Sequence, residues 1–137
     1  MPTKTKLLLD TNLLVYVFDQ TSPFHLRATA VLNDPSVELF LTTKSISEYF
    51  AVCSKQKAPL DDVLIFYRSF CKNATILFPE TKSLRIFETL LRKYQPIGNR
   101  VFDLEIAAVG LANGVSDIAT FNQKDFIALA EISLWPV

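Results

Sequence analysis

The fold is decided by the segment Leu7-Leu8-Leu9-Asp10-Thr11-Asn12, in which three apolar residues are followed by a carboxylate. The apolar run predicts a short buried strand, and Asp10 stands at its carboxyl end. In a sheet of parallel strands, ligand crevices form at that edge. Asp10 is therefore either a functional residue or simply the N-cap of the following helix, and other acids at the same edge would favour the first interpretation.

The rest of the chain alternates between strand and helix patterns. Strands are predicted at residues 7–9, 38–41, 75–78, 116–120 and 132–135. Helices are predicted at 13–18, 24–32, from 42 or 43 onward, 60–72, from 79 or 80 to 94, and 102–112. Strands separated by helices favour parallel pairing. The predicted fold class is therefore α/β, a three-layer α/β/α sandwich with a central parallel sheet of about five strands. The length of 137 residues suits one domain, residues 1–137.

Composition limits the function classes. Fourteen acidic residues balance fourteen basic ones, so any nucleic-acid binding must use a local patch. Lys44, Arg100 and Lys124 lie close in sequence to candidate acids and could meet phosphates there. No apolar run approaches the roughly 20 residues that span a bilayer. We therefore expect a cytoplasmic protein with no membrane partner, in which Cys53 and Cys71 are small buried apolar residues.

Other polar residues are predicted to meet Asp10 at the same sheet edge. Helices that connect parallel strands begin there, which brings Glu48, expected in about the first turn of its helix, and Asp103 to the edge. Asn122 and Asp125 directly follow the fourth strand. Each also has a simpler explanation. Asp10 and Asp103 could be helix caps, Glu48 a surface residue, and Asn122 and Asp125 turn residues.

The helix that begins near Asp103 is apolar on nearly all sides, which predicts an interior helix with a partly buried carboxylate at its start. Ala107 and Gly110 lie one and two turns further on and are small. We interpret them as leaving room for a crevice along that face.

Clustered carboxylates need compensation. Two charges about 4 Å apart repel by roughly 4 kcal/mol at an effective dielectric of about 20, so the acids would either bind protons or recruit a cation. Hard oxygen ligands without cysteine or histidine select Mg²⁺ or Mn²⁺ over zinc. This combination is typical of metal-assisted hydrolysis of a phosphodiester.

The same residues resemble a known family. The matching segments are Leu8-Leu9-Asp10-Thr11-Asn12, Ser45-Ile46-Ser47-Glu48-Tyr49-Phe50, Phe102-Asp103-Leu104-Glu105-Ile106-Ala107-Ala108 and Ile118-Ala119-Thr120-Phe121-Asn122-Gln123-Lys124-Asp125-Phe126. In order and spacing they look like the four motifs of PIN-domain nucleases, most of all the VapC-type toxins of type II toxin–antitoxin modules. The resemblance implies a Mg²⁺- or Mn²⁺-dependent endoribonuclease, usually a homodimer, which a cognate antitoxin holds inactive by filling the acidic crevice.

The resemblance also implies a role for each matching residue. Asp10 and Asp103 would be the principal metal ligands and Glu48 a further acid at the metal. Thr11 and Thr120 would hold ligands or metal-bound waters, and Asn12 would brace the loop. The chain departs from the pattern at Asn122, where the family often has Asp. Asp125 is the candidate to supply the missing charge, although its pairing with Phe126 also suits a structural role, and we expect one metal rather than two.

Two alternatives to a nuclease stay open. The missing fourth acid permits a PIN-like domain that has lost activity and serves as a protein- or RNA-binding module. A receiver-type phosphotransfer domain has a similar sheet but needs adjacent acids after the first strand. Here Asp10 stands alone, and the pair Asp61-Asp62 precedes a helix.

Overall fold

A computed structural model describes residues 3–137, and it contains one parallel sheet flanked by helices. The strands are β1 (Thr5–Leu9), β2 (Val37–Thr42), β3 (Thr75–Leu77), β4 (Asp117–Ala119) and β5 (Ser133–Leu134). The helices are α1 (Thr11–Phe18), α2 (His25–Leu32), α3 (Thr43–Lys55), α4 (Leu60–Asn73), α5 (Thr81–Tyr94), α6 (Arg100–Ala112) and α7 (Gln123–Phe126). Most bounds lie within two residues of the predicted ones.

The sheet has the strand order β3-β2-β1-β4-β5, and all of its pairs are parallel. The strand β1 is central. In the register of the sheet, Leu8 lies beside Phe40 of β2, and Leu9 lies beside Ala119 of β4. The ends of β1, β2 and β4 therefore meet at one edge, with Asp10 in the middle. The prediction of a three-layer α/β fold is confirmed.

Alternation along β1 divides the core into two layers. Leu7 and Leu9 pack into the layer formed by α1 to α4, whereas Leu8 packs into the layer formed by α5, α6 and α7. All three leucines are 0 or 1% exposed, as expected for a central strand with both faces covered. The apolar run that predicts the strand is thus explained by burial on both sides.

Three local features differ from the sequence-based expectation. The first helix begins at Thr11, directly after Asp10, rather than at residue 13. Glu48 is the sixth residue of α3, in its second turn, because α3 begins at Thr43. The short helix α7 was not predicted, and it places Asp125 in its only turn.

The expectation of a crevice along Ala107 and Gly110 is wrong. Both residues are buried, and α6 lies directly against the sheet at this point. A Cβ atom on Gly110 would lie 2.8 Å from Leu8 Cδ2 and 3.1 Å from the Val115 carbonyl oxygen. The small side chains of Ala107 and Gly110 therefore permit close packing of α6 on β1. The acidic edge lies one or more helical turns away from these two residues.

The two cysteines differ in environment. Cys53 is buried as predicted, while Cys71 is half-buried. Over residues 3–137, no helix combines the length and the apolar character that crossing a membrane would require.

Candidate active site

Asp10 is a buried carboxylate, 5% exposed, at the end of the central strand. Its Oδ1 accepts a hydrogen bond of 2.8 Å from the backbone N–H of Thr11 and so caps α1. Its Oδ2 accepts hydrogen bonds from Thr120 Oγ1 at 2.8 Å and from Asn12 Nδ2 at 3.3 Å. Capping uses only one carboxylate oxygen, so it does not exclude a second role for Asp10.

Asn12 and Thr120 connect the loops that follow β1 and β4. Asn12 Nδ2 also lies 3.4 Å from Thr120 Oγ1, and Asn12 Oδ1 accepts a 3.2 Å bond from the backbone N–H of Phe121. Thr120 Oγ1 additionally accepts a 3.0 Å bond from the backbone N–H of Asn122. These contacts hold the Asp10 carboxylate in one orientation and connect the two loops.

Glu48 reaches the edge from α3. Thr11 Oγ1 donates a long hydrogen bond of 3.5 Å to Glu48 Oε1, which places the two carboxylates of Glu48 and Asp10 on either side of Thr11. Burial raises the pKa of the Glu48 carboxyl, the charge of Lys44 opposes this, and the charge of Asp10 adds to it. Glu48 is therefore part of the acidic cluster and not an isolated surface residue.

Asp103 reaches the same edge from the first turn of α6, on the other face of the sheet. Burial raises the pKa of its carboxyl to about 7. The charges of Asp10, Asp125 and Glu48, in that order, contribute to the rise, and Arg100 opposes it. Acids from separate segments thus interact as one cluster, which the sequence predicted from topology alone.

Asn122 and Asp125 have different surroundings. Asn122 is exposed, and its carbonyl oxygen accepts a 3.0 Å bond from the Asp125 backbone N–H at the start of α7. Asp125 is half-buried, and its charge raises the pKa values of both Asp10 and Asp103. Asp125 thus lies close enough to supply the fourth negative charge. Phe126 beside it is completely buried, so the structural role expected for this pair is present as well.

Glu105 is an acid near the site that the sequence patterns did not identify. Glu105 follows Asp103 by two residues on α6, and its charge raises the pKa of Glu48. Its Oε2 is buried without a hydrogen-bond partner anywhere in the described part of the chain. The sequence did contain a signal, because a glutamate inside the apolar run of an interior helix is rarely left uncompensated.

The donor set suits a hard divalent cation. The cluster offers carboxylate oxygens, one buried oxygen without a partner and an excess of negative charge that burial makes costly. Within residues 3–137, no three acidic, histidine or cysteine side chains are arranged to hold an ion by themselves. Mg²⁺ commonly keeps several waters and binds through one or two carboxylates, so this arrangement is compatible with it.

The raised pKa of Asp103 predicts how stability depends on pH. The folded-state pKa of about 7 exceeds the ordinary value of 3.8, so between these pH values the folded protein retains a proton that the unfolded chain has lost. Without metal, Asp103 therefore lowers the free energy of unfolding as pH rises from about 4 to about 7. We expect Asp103→Asn in EDTA to melt several degrees above wild type at pH 8, with the difference shrinking towards pH 4. A thermal unfolding difference that stays constant across this range would contradict the prediction.

Both the sequence and the fold are similar to those of known proteins. The family model described as "PIN domain" matches residues 7–132. A search of curated protein sequences gave no match. Two similar solved structures are VapBC2 from Rickettsia felis bound to a promoter DNA fragment, and DNA-bound VapBC from Salmonella typhimurium. The first has a TM-score of 0.72 and 20% identity over 96% of this chain and 100% of that chain, and the second has 0.71 and 22% over 96% and 97%.

A third similar structure is VapC20 from Mycobacterium tuberculosis, described as a toxin that cleaves the sarcin-ricin loop. Its TM-score is 0.72 at 12% identity, over 90% of this chain and 95% of that chain. At these identities the three structures establish similarity of fold. The family model spans nearly the whole chain, including every predicted site residue. The chain therefore belongs to the PIN domain family.

Proposed function

We propose that the protein is a metal-dependent endoribonuclease and the toxin of a toxin–antitoxin pair. The observation that carries this proposal is the cluster of carboxylates at one sheet edge, where burial first and then the charges of Asp10, Asp125 and Glu48 raise the pKa of Asp103 to about 7. A protein gains no stability from buried like charges, so their retention is best explained by a bound cation and a function. Fold similarity to VapC20, a toxin that cleaves RNA of the sarcin-ricin loop, supports RNA as the substrate class.

Each residue has a proposed role in the site. Asp10 and Asp103 would hold Mg²⁺ or Mn²⁺, and Glu48 would hold it directly or through water. Thr11, Asn12 and Thr120 would keep the Glu48 and Asp10 carboxylates in place through the hydrogen bonds described above.

The remaining polar residues bear on the number of ions. Asn122 occupies the fourth position without a charge, and Asp125 would compensate for it. Asp125 carries the only negative charge among residues 120–126. We therefore propose one metal ion rather than two. When bound, the ion would lower the pKa of a coordinated water and shield charge that develops on the phosphate.

The proposed partners follow from the same family. VapBC structures contain toxin and antitoxin together, and we propose that a cognate antitoxin binds this chain as well. We also propose a homodimer, because α4 exposes Leu60 and Ile65 and α5 exposes Leu84, apolar surface that a second copy could cover. The proposed location is the cytoplasm, which holds both the RNA and the antitoxin.

The test is cleavage of labelled single-stranded and structured RNA by purified protein freed of antitoxin. Cleavage is expected with Mg²⁺ or Mn²⁺ and is expected to stop in EDTA. Without the ion, the carboxylate cluster has no cation to shield the charge that develops on the phosphate. The Asp10→Asn/Asp103→Asn double variant, checked for folding by circular dichroism, is the comparison. Direct binding of Mn²⁺ by calorimetry should weaken strongly in the same variant.

The outcomes separate the two candidate functions. If wild-type protein cleaves no better than the double variant, the nuclease proposal is wrong. Retained RNA binding in that case would support the alternative of an inactive binding module, which the asparagine at position 122 permits. A small upstream gene for a DNA-binding antitoxin would independently support the toxin role.

A further inference from the structure

Lys44 makes an unusual contact at the rim of the acidic cluster. Its Nζ lies 3.7 Å from the centroid of the Phe102 ring, which is a close cation–π distance. Lys44 is the second residue of α3, and Phe102 immediately precedes Asp103 on α6. The Phe102 side chain is 37% exposed, so the contact faces solvent and does not belong to the core.

The ammonium of Lys44 has a carboxylate within reach along its own helix. Glu48 follows it by four residues, the spacing at which oppositely charged helix side chains pair. Yet the ion pairs within residues 3–137 are Arg92–Glu88 and Lys93–Glu131, and Lys44 is in neither. Lys44 lies one turn before Glu48 on α3 and its Nζ rests on the ring next to Asp103, so the ammonium is near the cluster without being in an ion pair. The Phe102 ring thus holds the ammonium beside the acids, and in the described part of the chain the Glu48 carboxylate makes no ion pair with it.

The strand order determines where Lys44 lies along the carboxyl edge of the sheet. Lys44 follows β2, Asp10 directly follows the adjacent β1, and Asn122 follows β4 on the other side. Lys44 therefore stands on the β2 side of the acids. A polyanion that crosses the edge past Asp10 would meet the ammonium next to the carboxylates, and electrostatic attraction to the cation would offset part of their repulsion.

We propose that Lys44, positioned by the Phe102 ring, binds a backbone phosphate of single-stranded RNA adjacent to the phosphate at the acidic cluster. This rests on the proposed nuclease function and deepens it, because it assigns a substrate contact on the β2 side. Lys44 touches the substrate, whereas Phe102 acts through Lys44 and is a positioning residue.

A purely structural role makes different predictions. If the Lys44–Phe102 contact served only to join α3 to α6, its loss would lower thermal stability and leave RNA binding unchanged. An exposed cation–π contact contributes little to stability. A phosphate contact instead changes affinity and its dependence on salt, because each phosphate neutralised on a single strand releases counterions.

The experiment measures binding of fluorescein-labelled single-stranded RNA by anisotropy over a range of KCl concentrations. The Asp10→Asn/Asp103→Asn background prevents cleavage during the measurement. Lys44→Met is expected to weaken binding about five- to tenfold and to reduce the slope of log affinity against log salt by about 0.7, the value for one phosphate on a single strand. Lys72→Met, an exposed lysine at the far end of α4, is the matched control and should change neither quantity.

The positioning role of Phe102 needs its own variants. Phe102→Ala is expected to weaken RNA binding about threefold or more, and Phe102→Tyr, which keeps the ring, should restore it. In the background with intact Asp10 and Asp103, Lys44→Met should raise KM while kcat stays within about twofold. Unchanged affinity and salt slope in Lys44→Met would overturn the proposal.

These results are distinguishable from failure of the nuclease function. If the wild-type protein binds RNA but does not cleave it, the nuclease proposal is wrong, while the Lys44 variants still decide the phosphate contact. An equal effect of Lys44→Met on duplex DNA of the same length would overturn single-stranded RNA as the ligand. Absence of RNA binding at low salt would overturn both proposals.

Discussion

Replacing Asp10 with Asn is expected to lower the rate of RNA cleavage by roughly a thousandfold while the protein stays folded. Asp10 and Asp103 are the proposed metal ligands, and an amide keeps the shape of the side chain but removes its charge. A loss of about 4 kcal/mol of transition-state stabilisation, within the range that metal-ion catalysis supplies, corresponds to that factor. Initial rates with saturating RNA and Mg²⁺ measure it directly.

The folded state should tolerate Asp10→Asn for a local reason. Asn is as good an N-cap as Asp, and its side-chain oxygen can still accept the hydrogen bond from the Thr11 N–H. Asp61→Asn is the matched control, because Asp61 is an exposed carboxylate in the first turn of α4. Cleavage by Asp10→Asn within about tenfold of the control would remove Asp10 from the proposed site.

The two interpretations of Asp10 in the sequence prove compatible. Its Oδ1 caps α1, and its Oδ2 turns towards Thr120 and Asn12. Local pattern was enough to place Asp10 at a strand end, because three consecutive apolar residues predict a strand with both faces covered. The sequence pattern could not distinguish helix capping from a role in the site, because both roles would use Asp10 at the same position.

Residues that depend on contacts between distant segments were harder to predict. The parallel topology brought Glu48 and Asp103 to one edge, since helices between parallel strands must begin there. It gave no information on Glu105, whose carboxylate lies near Glu48 only because α6 packs against the sheet beside α3. Nor could it show that Lys44 would rest on Phe102 and not pair with Glu48.

The fourth polar position shows a further limit. Asp125 lies three residues past Asn122, and only the short helix α7 turns it back towards Asp10 and Asp103. A four-residue helix has too few residues to show a helical period, so its sequence resembles a turn. The family pattern drew attention to position 122, whereas the electrostatic neighbour of the two aspartates is position 125.

The interpretation of Gly110 was also wrong, because its role depends on a contact with Leu8, which is distant in the sequence. Substitution of Gly110 gives the largest effect on stability that we expect. Gly110→Val should lower the free energy of unfolding by about 3 kcal/mol. A Cβ atom alone would approach Leu8 Cδ2 to 2.8 Å and the Val115 carbonyl oxygen to 3.1 Å. The leucine tip could move aside, but the backbone oxygen is fixed in the turn after α6, where Val115 N–H bonds to the Gly110 carbonyl at 2.9 Å.

Urea unfolding followed by circular dichroism measures this loss, and Ala112→Val is the matched control because Ala112 is half-buried at the end of the same helix. The control adds apolar volume without meeting the Leu8 strand, so we expect a change within about 0.5 kcal/mol. If Gly110→Val were as stable as the control, α6 would be free to shift away from β1. Asp103 and Gly110 lie on one rigid helix, and Leu8 and Asp10 lie on one strand segment. The approach of Gly110 to Leu8 would in that case not fix the position of Asp103 relative to Asp10.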